Sequence, residues 1–143
     1  VISRAWHRGG AALLTKVVVR NRRVFFKLLA PLILLTVLLF PLALWLLGMN
    51  EEPLTIWALY AILALGIALT SGYQAFQMLF SQVGRPGTQT LFIGGFFLSN
   101  VLLNLLFIPL FGVHGSAVAT ALAFVAMVVL LKVLSNRVLH VRI

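Results

Sequence analysis

The sequence predicts an all-α integral membrane protein, with four transmembrane helices preceded by a basic amphipathic helix. Three observations carry this expectation. Of the 143 residues 62% are hydrophobic and the mean hydropathy is +1.13. A soluble domain of this size keeps too many residues near its surface to hide so much apolar side chain. Four long apolar runs, 28–48, 54–80, 91–109 and 116–132, are each near or above the roughly 17 to 25 residues that a helix needs to cross hydrocarbon. The cations, finally, fall in alternate gaps between those runs. Backbone groups in lipid must bond within their own segment, and the period-two alternation of a barrel is absent, so the runs should be helices.

The charge census sets the expected topology. Seven of the eleven Lys and Arg precede residue 28, Arg85 lies between the second and third runs, and Lys132, Arg137 and Arg142 follow the fourth. The gaps around Glu51 and His114 hold none. Such one-sidedness predicts four crossings, with both termini and Arg85 on the cytoplasmic side. It also argues against a nucleic-acid surface, which the net charge of +9 alone would suggest. The absence of cysteine excludes disulfides and thiolate metal sites. Val1 in place of Met, with no small-residue cleavage site after the first apolar run, points to an internal part of a larger membrane protein and not to a signal peptide.

Residues 1–27 place Arg4, Arg8, Lys16, Arg20, Arg23 and Lys27 at three-, four- or eight-residue spacing, with Leu13, Leu14, Val17 and Val18 largely between them. With a break at Gly9-Gly10, the part from Ala11 onward reads as a basic amphipathic helix at the headgroups. It serves either as a topogenic flank or as a surface for anionic lipid or a phosphorylated lipid carrier. In the first run Pro31 falls in the opening turn, whereas Pro41 should kink the helix. Glu51 and Glu52 precede Pro53 and complement the dipole of the second helix.

The second run carries Ala61, Ala64, Ala68, Gly72 and Ala75 at spacings of three or four, a stripe that lets a neighbouring backbone approach. Thr70, Ser71, Tyr73, Gln74 and Gln77 cluster near its cytoplasmic end, where they anchor at the interface or line a hydrophilic cavity. The connector 81–89 is built from the turn-formers Gly84, Pro86 and Gly87 around Arg85, which is topogenic or contacts a substrate phosphate. Asn100 and Asn104 share one face of the third helix. An unpartnered amide in lipid costs about 2 kcal/mol or more. The pair should therefore either bond across helices or line a polar path. The chain is expected to stop at Pro109, turn through Gly112 and Gly115, and return as a small-residue helix with Gly115, Ala119, Ala123 and Ala126 on one face. His114 reads as an interfacial residue of that outer turn, and 133–143 as a basic cytoplasmic tail.

The series Gly84-Arg85-Pro86-Gly87, followed by SNVLLNLLFIPLFGVHGSAVAT over 99–120, resembles the C-terminal part of bacterial polysaccharide and O-antigen flippases. These belong to the multidrug, oligosaccharidyl-lipid and polysaccharide exporter superfamily. In that family an asparagine-bearing helix runs into an IP-x-x-G-x-x-G-A-A-x-A-T turn, matched here by Pro109, Gly112, Gly115, Ala117, Ala119 and Thr120. Ser116 stands where alanine is usual. Ile2-Ser3-Arg4 and the Leu47-Gly48 end of the first run are similar too, so the resemblance spans nearly the whole chain.

The resemblance implies a protein of twelve to fourteen helices in two pseudo-symmetric bundles, working by alternating access in the bacterial cytoplasmic (inner) membrane. Its implied function is to flip undecaprenyl-diphosphate-linked oligosaccharide for polysaccharide biosynthesis. Its implied partners are that lipid-linked substrate, membrane lipids and other polysaccharide-assembly proteins. Cationic and amide side chains would ease such cargo across hydrocarbon, which makes Asn100, Asn104, Gln74, Gln77 and Arg85 the substrate-path candidates. Pro109, Gly112, Gly115 and Ala119 are the turn and packing candidates. No phosphate-cradling loop, metal cluster or nucleophile–base pair suggests an enzyme or a cofactor. A cation-coupled multidrug exporter of the same superfamily, a four-helix exporter and a structural membrane subunit are the alternatives. The first two would want an intramembrane carboxylate, which these runs lack.

Overall fold

The computed structural model describes residues 2–48 and 52–141. Met49, Asn50 and Glu51 of the first loop, Val1, and Arg142 and Ile143 of the tail lie outside the described residues, as do the side chains of Ala5 and Arg8. The chain is all-helical. Four elements follow one another, α1 (Ile2–Leu46), α2 (Pro53–Gln74), α3 (Leu79–Gln82) and α4 (Pro86–Leu139), with no strand among the described residues. Among the described residues, three stretches are long and apolar enough to cross a membrane: Gly9–Leu46, Pro53–Gln82 and Pro86–Leu139. This is the make-up of a multi-pass membrane protein.

Within α1 the only non-helical dihedrals are at Gly10 (φ 57°, ψ −147°), a region open to glycine alone. Beyond it the helix passes without a break from the basic segment into the apolar run, across Lys27 and Leu28. The composition changes there but the backbone does not, because residues on both sides favour helix. The 38 residues from Gly9 to Leu46 span about 57 Å at ~1.5 Å per residue, nearly twice the hydrocarbon thickness. Moreover, part of the apolar side of the basic segment faces protein, although Leu13 is exposed. Leu14 and Val18 are fully buried against a core that includes Phe76, Phe80, Met127 and Leu131.

The second apolar run is divided. Helix α2 ends at Gln74, and residues 75–78 form a turn before the single turn of α3. The backbone tightens through this stretch into i→i+3 bonds: Phe76 N–H donates to Tyr73 O (2.9 Å) and Leu79 N–H to Phe76 O (3.0 Å). Phe76, Leu79 and Phe80 are thereby carried into the core.

Helix α4 is two arms joined at Gly112 (φ 58°, ψ −134°). The arms, 86–111 and 113–139, fold back antiparallel. Phe96 and Phe124 lie 6.2 Å apart between ring centroids, and a methyl group on Gly95 would touch Leu130 at 3.3 Å. The first arm runs on through Pro109 instead of stopping there, so a single residue leaves the helical geometry. Gly115 lies inside the second arm, where a Cβ would overlap the Phe107 carbonyl.

Helix α2 sits in the middle. Helix α1 lies antiparallel along it, held by a Trp57 Nε1–H bond to Val37 O (3.0 Å), a Thr36–Tyr60 hydroxyl bond (2.6 Å) and the stacked rings of Phe40 and Tyr60 (4.1 Å). On its other side the second arm of α4 approaches so closely that a Cβ on Gly66 would lie 2.8 Å from Ala121 Cα. This antiparallel order gathers the start of α1, the 75–85 connector and the end of α4 at one end. The end of α1 at Leu46, the start of α2 at Pro53 and Gly112 occupy the other. The core belongs to the first end; at the second, large apolar side chains such as Leu38, Leu54 and Leu110 stand exposed.

Candidate functional site

Asn100 and Asn104 are half-buried on the first arm of α4. Asn104 Nδ2 donates both to Asn100 O (2.9 Å) and to Asn100 Oδ1 (3.0 Å). The two side chains are thus bonded to each other within one helix, while Asn100 Nδ2 and Asn104 Oδ1 take no part in these bonds. Beside the pair runs a groove of about 320 Å³ lined by Asn100, Val101, Asn104, Leu105, Ile108 and Pro109. All six residues belong to the same arm, so the groove has one wall.

Gln74 and Gln77 form a separate polar chain. Gln77 Nε2 donates to Gln74 Oε1, Gln74 Nε2 to Thr70 Oγ1 (3.4 Å), and Thr70 Oγ1 to Gly66 O (2.9 Å). No hydrogen bond joins this chain to the asparagines. It is instead tied to the connector by Gln89, which is nearly buried. Gln89 Nε2 donates to Gln77 O (2.8 Å), and Ser81 N–H donates to Gln89 Oε1 (3.3 Å). One side chain thus supplies partners for two backbone groups released where α2 breaks. Nothing in the sequence distinguished Gln89 from the other polar residues of the connector. Arg85 is exposed at the start of α4, and its backbone N–H donates to Phe80 O (2.8 Å).

Of the turn and packing candidates, Gly112 makes the reversal, while Gly115 and Ala119 are buried on the inner face of the second arm. Pro109 lies exposed in the last turn of the first arm, and His114 is exposed just past the reversal.

A further cluster forms around Tyr73. Arg22 Nη1 donates to the Tyr73 hydroxyl (2.8 Å), and the Arg22 guanidinium lies 5.3 Å from the ring centroid. Lys132 Nζ, from the second arm of α4, lies 5.1 Å from the same centroid. Both distances suit attraction between a cation and an aromatic face. Gly72 makes the approach possible, since a Cβ there would sit 3.0 Å from Arg22 O and Arg22 Cγ. A groove of about 300 Å³ opens beside the ring between Arg22, Arg23, Lys27, Phe26 and Leu69. Arg22 was hidden in the sequence among six other early cations. The signal that singles it out is tertiary.

No family model matches the chain, and neither a curated protein nor a solved structure matches it.

Proposed function

We propose that this chain is part of a two-bundle exporter that flips undecaprenyl-diphosphate-linked oligosaccharide across the bacterial cytoplasmic membrane. It would cross the membrane four times, with the arms of α4 as the third and fourth crossings and the cation-rich end in the cytoplasm. The motif resemblance over 99–120 supports the family, and the reversal at Gly112 fits the turn that this motif describes.

The observation that carries a transport role is the one-walled groove at Asn100 and Asn104. Amides exposed to lipid are costly, so such a face calls for an opposing wall of protein or a water-filled path. Further helices of a larger bundle would supply that wall. The lack of any carboxylate within the apolar runs favours this reading over a cation-coupled exporter whose coupling site lies in this segment.

The test replaces Asn100, Asn104 and Arg85 with alanine, singly and together, and measures glycan export beside protein abundance. Export should fall while abundance holds, because the Asn100–Asn104 bonds lie within one helix and such pairs contribute about 0.2 to 0.5 kcal/mol. Unchanged export at normal abundance would remove these residues from the path.

A further inference from the structure

Among the described residues, no carboxylate lies beside the cationic groove at Tyr73. The sequence holds two carboxylates, Glu51 and Glu52. Glu52 stands at the opposite end of α2, some 21 residues or about 30 Å along the helix from Tyr73. Yet Arg22 and Lys132 both lie against one aromatic ring, with Arg23 and Lys27 lining the groove at its side. Like charges gathered in this way repel one another unless an anion is shared among them. The Tyr73 hydroxyl uses only one of the five guanidinium N–H groups of Arg22, so four donors remain.

From this geometry we infer that Arg22, Arg23, Lys27 and Tyr73 form a binding site for the phosphate group of an anionic membrane lipid. Phosphate suits the donor set, because it accepts paired bonds from a guanidinium and a further bond from an ammonium. The apolar part of the lining identifies the source as a lipid. Phe26 and Leu69 share the groove with the cations, which offers a surface for an acyl chain directly below the headgroup. Free phosphate would gain nothing from that surface. The position agrees, since α1 passes here from its basic segment into its apolar run, the depth at which a phosphate layer would meet it. Gly72 and the Arg22–Tyr73 bond fix the site between two helices, which distinguishes it from a diffuse basic surface. The inference stands apart from the export reading, because a bound structural lipid requires no flipped cargo.

The full chain, purified in neutral detergent and stripped of lipid, is titrated with phosphatidylcholine, with phosphatidylglycerol and with inorganic phosphate. Native mass spectrometry counts the retained molecules. One phosphatidylglycerol should bind saturably in preference to phosphatidylcholine, and inorganic phosphate should not compete at equal concentration. Arg22→Ala and Lys27→Ala should each weaken retention more than the about fivefold expected of any cation near an anionic surface. Arg22→Lys should restore part of it, and Arg137→Ala should leave it within about fivefold of the unaltered chain. Circular dichroism checks that each variant keeps its helix content; where Arg22→Ala does not, Lys27→Ala and Arg22→Lys decide. Equal losses from Arg137→Ala and Arg22→Ala would reduce the site to a general field. Equal retention of phosphatidylcholine would overturn the phosphate assignment, and full competition by inorganic phosphate would overturn the lipid.

Discussion

Replacing Gly66 with alanine adds one methyl group at the tightest contact between α2 and the second arm of α4. The new Cβ would lie 2.8 Å from both Cα and Cβ of Ala121, whereas carbon atoms pack best at about 3.5 to 4.0 Å. The two helices must therefore part by about 1 Å. Ala121 Cα belongs to the backbone, so no side chain can swing aside to absorb the difference. Separation loosens the small-residue seam around it, including Ala64, Ala68, Ala119 and Ala123, all now buried. Overpacking of this kind costs about 1 to 3 kcal/mol. Gly94→Ala is the control, since its Cβ would meet no atom within 4 Å and alanine is favoured over glycine inside a helix by about 1 kcal/mol. Thermal melting in detergent, followed by circular dichroism, should place the Gly66 variant below the parent and the Gly94 variant at or above it. If Gly66→Ala melts with the parent, or Gly94→Ala falls as far, the close approach of these helices is wrong.

Gln89→Ala leaves Gln77 O and Ser81 N–H without their partners; at about 1 to 3 kcal/mol for a buried unpaired group, hydrogen exchange over 77–83 should quicken while the arms of α4 stay protected. At the reversal, Gly112→Ala meets backbone strain of about 1 to 3 kcal/mol but open space for its methyl, whereas Gly115→Ala collides with the Phe107 carbonyl. The Gly115 variant should therefore be the less stable of the two in the same melting assay, and the reverse order would contradict the hairpin.

Much of the fold was legible because lipid simplifies the code. Apolar runs mark helices, and the confinement of cations to alternate gaps matches the end at which the described cations gather. Gly112 was readable as a turn because only glycine takes its dihedrals cheaply. The break after Gln74 was not, since no glycine or proline lies between residues 73 and 83. Burial of Phe76, Leu79 and Phe80 and the reach of Gln89 impose it from outside the segment. The change of composition at Lys27 invited a boundary that the backbone ignores, because helix propensity is blind to the passage from charged to apolar residues. Leu14 and Val18 looked like lipid-facing residues because a protein core and a bilayer select the same side chains. The site was harder still. Asn100 and Asn104 stood out as polar intruders, but their mutual bonds depend on rotamers. The ring of Tyr73 draws in Arg22 and Lys132 from 51 and 59 positions away.

The reversal at Gly112 also decides how the chain can move. With one residue outside helical geometry, the hairpin has no slack. One arm cannot slip a turn past the other, a step of about 5.4 Å, unless helix unwinds to feed the loop. The two arms must translate and tilt together, as a single stiff paddle. The 75–85 connector differs, because its turn, short helix and Gly84 bend hold spare length. Relative motion of α2 and the paddle would fall at the seam between them, with the connector as its tether and Gln89 as the catch.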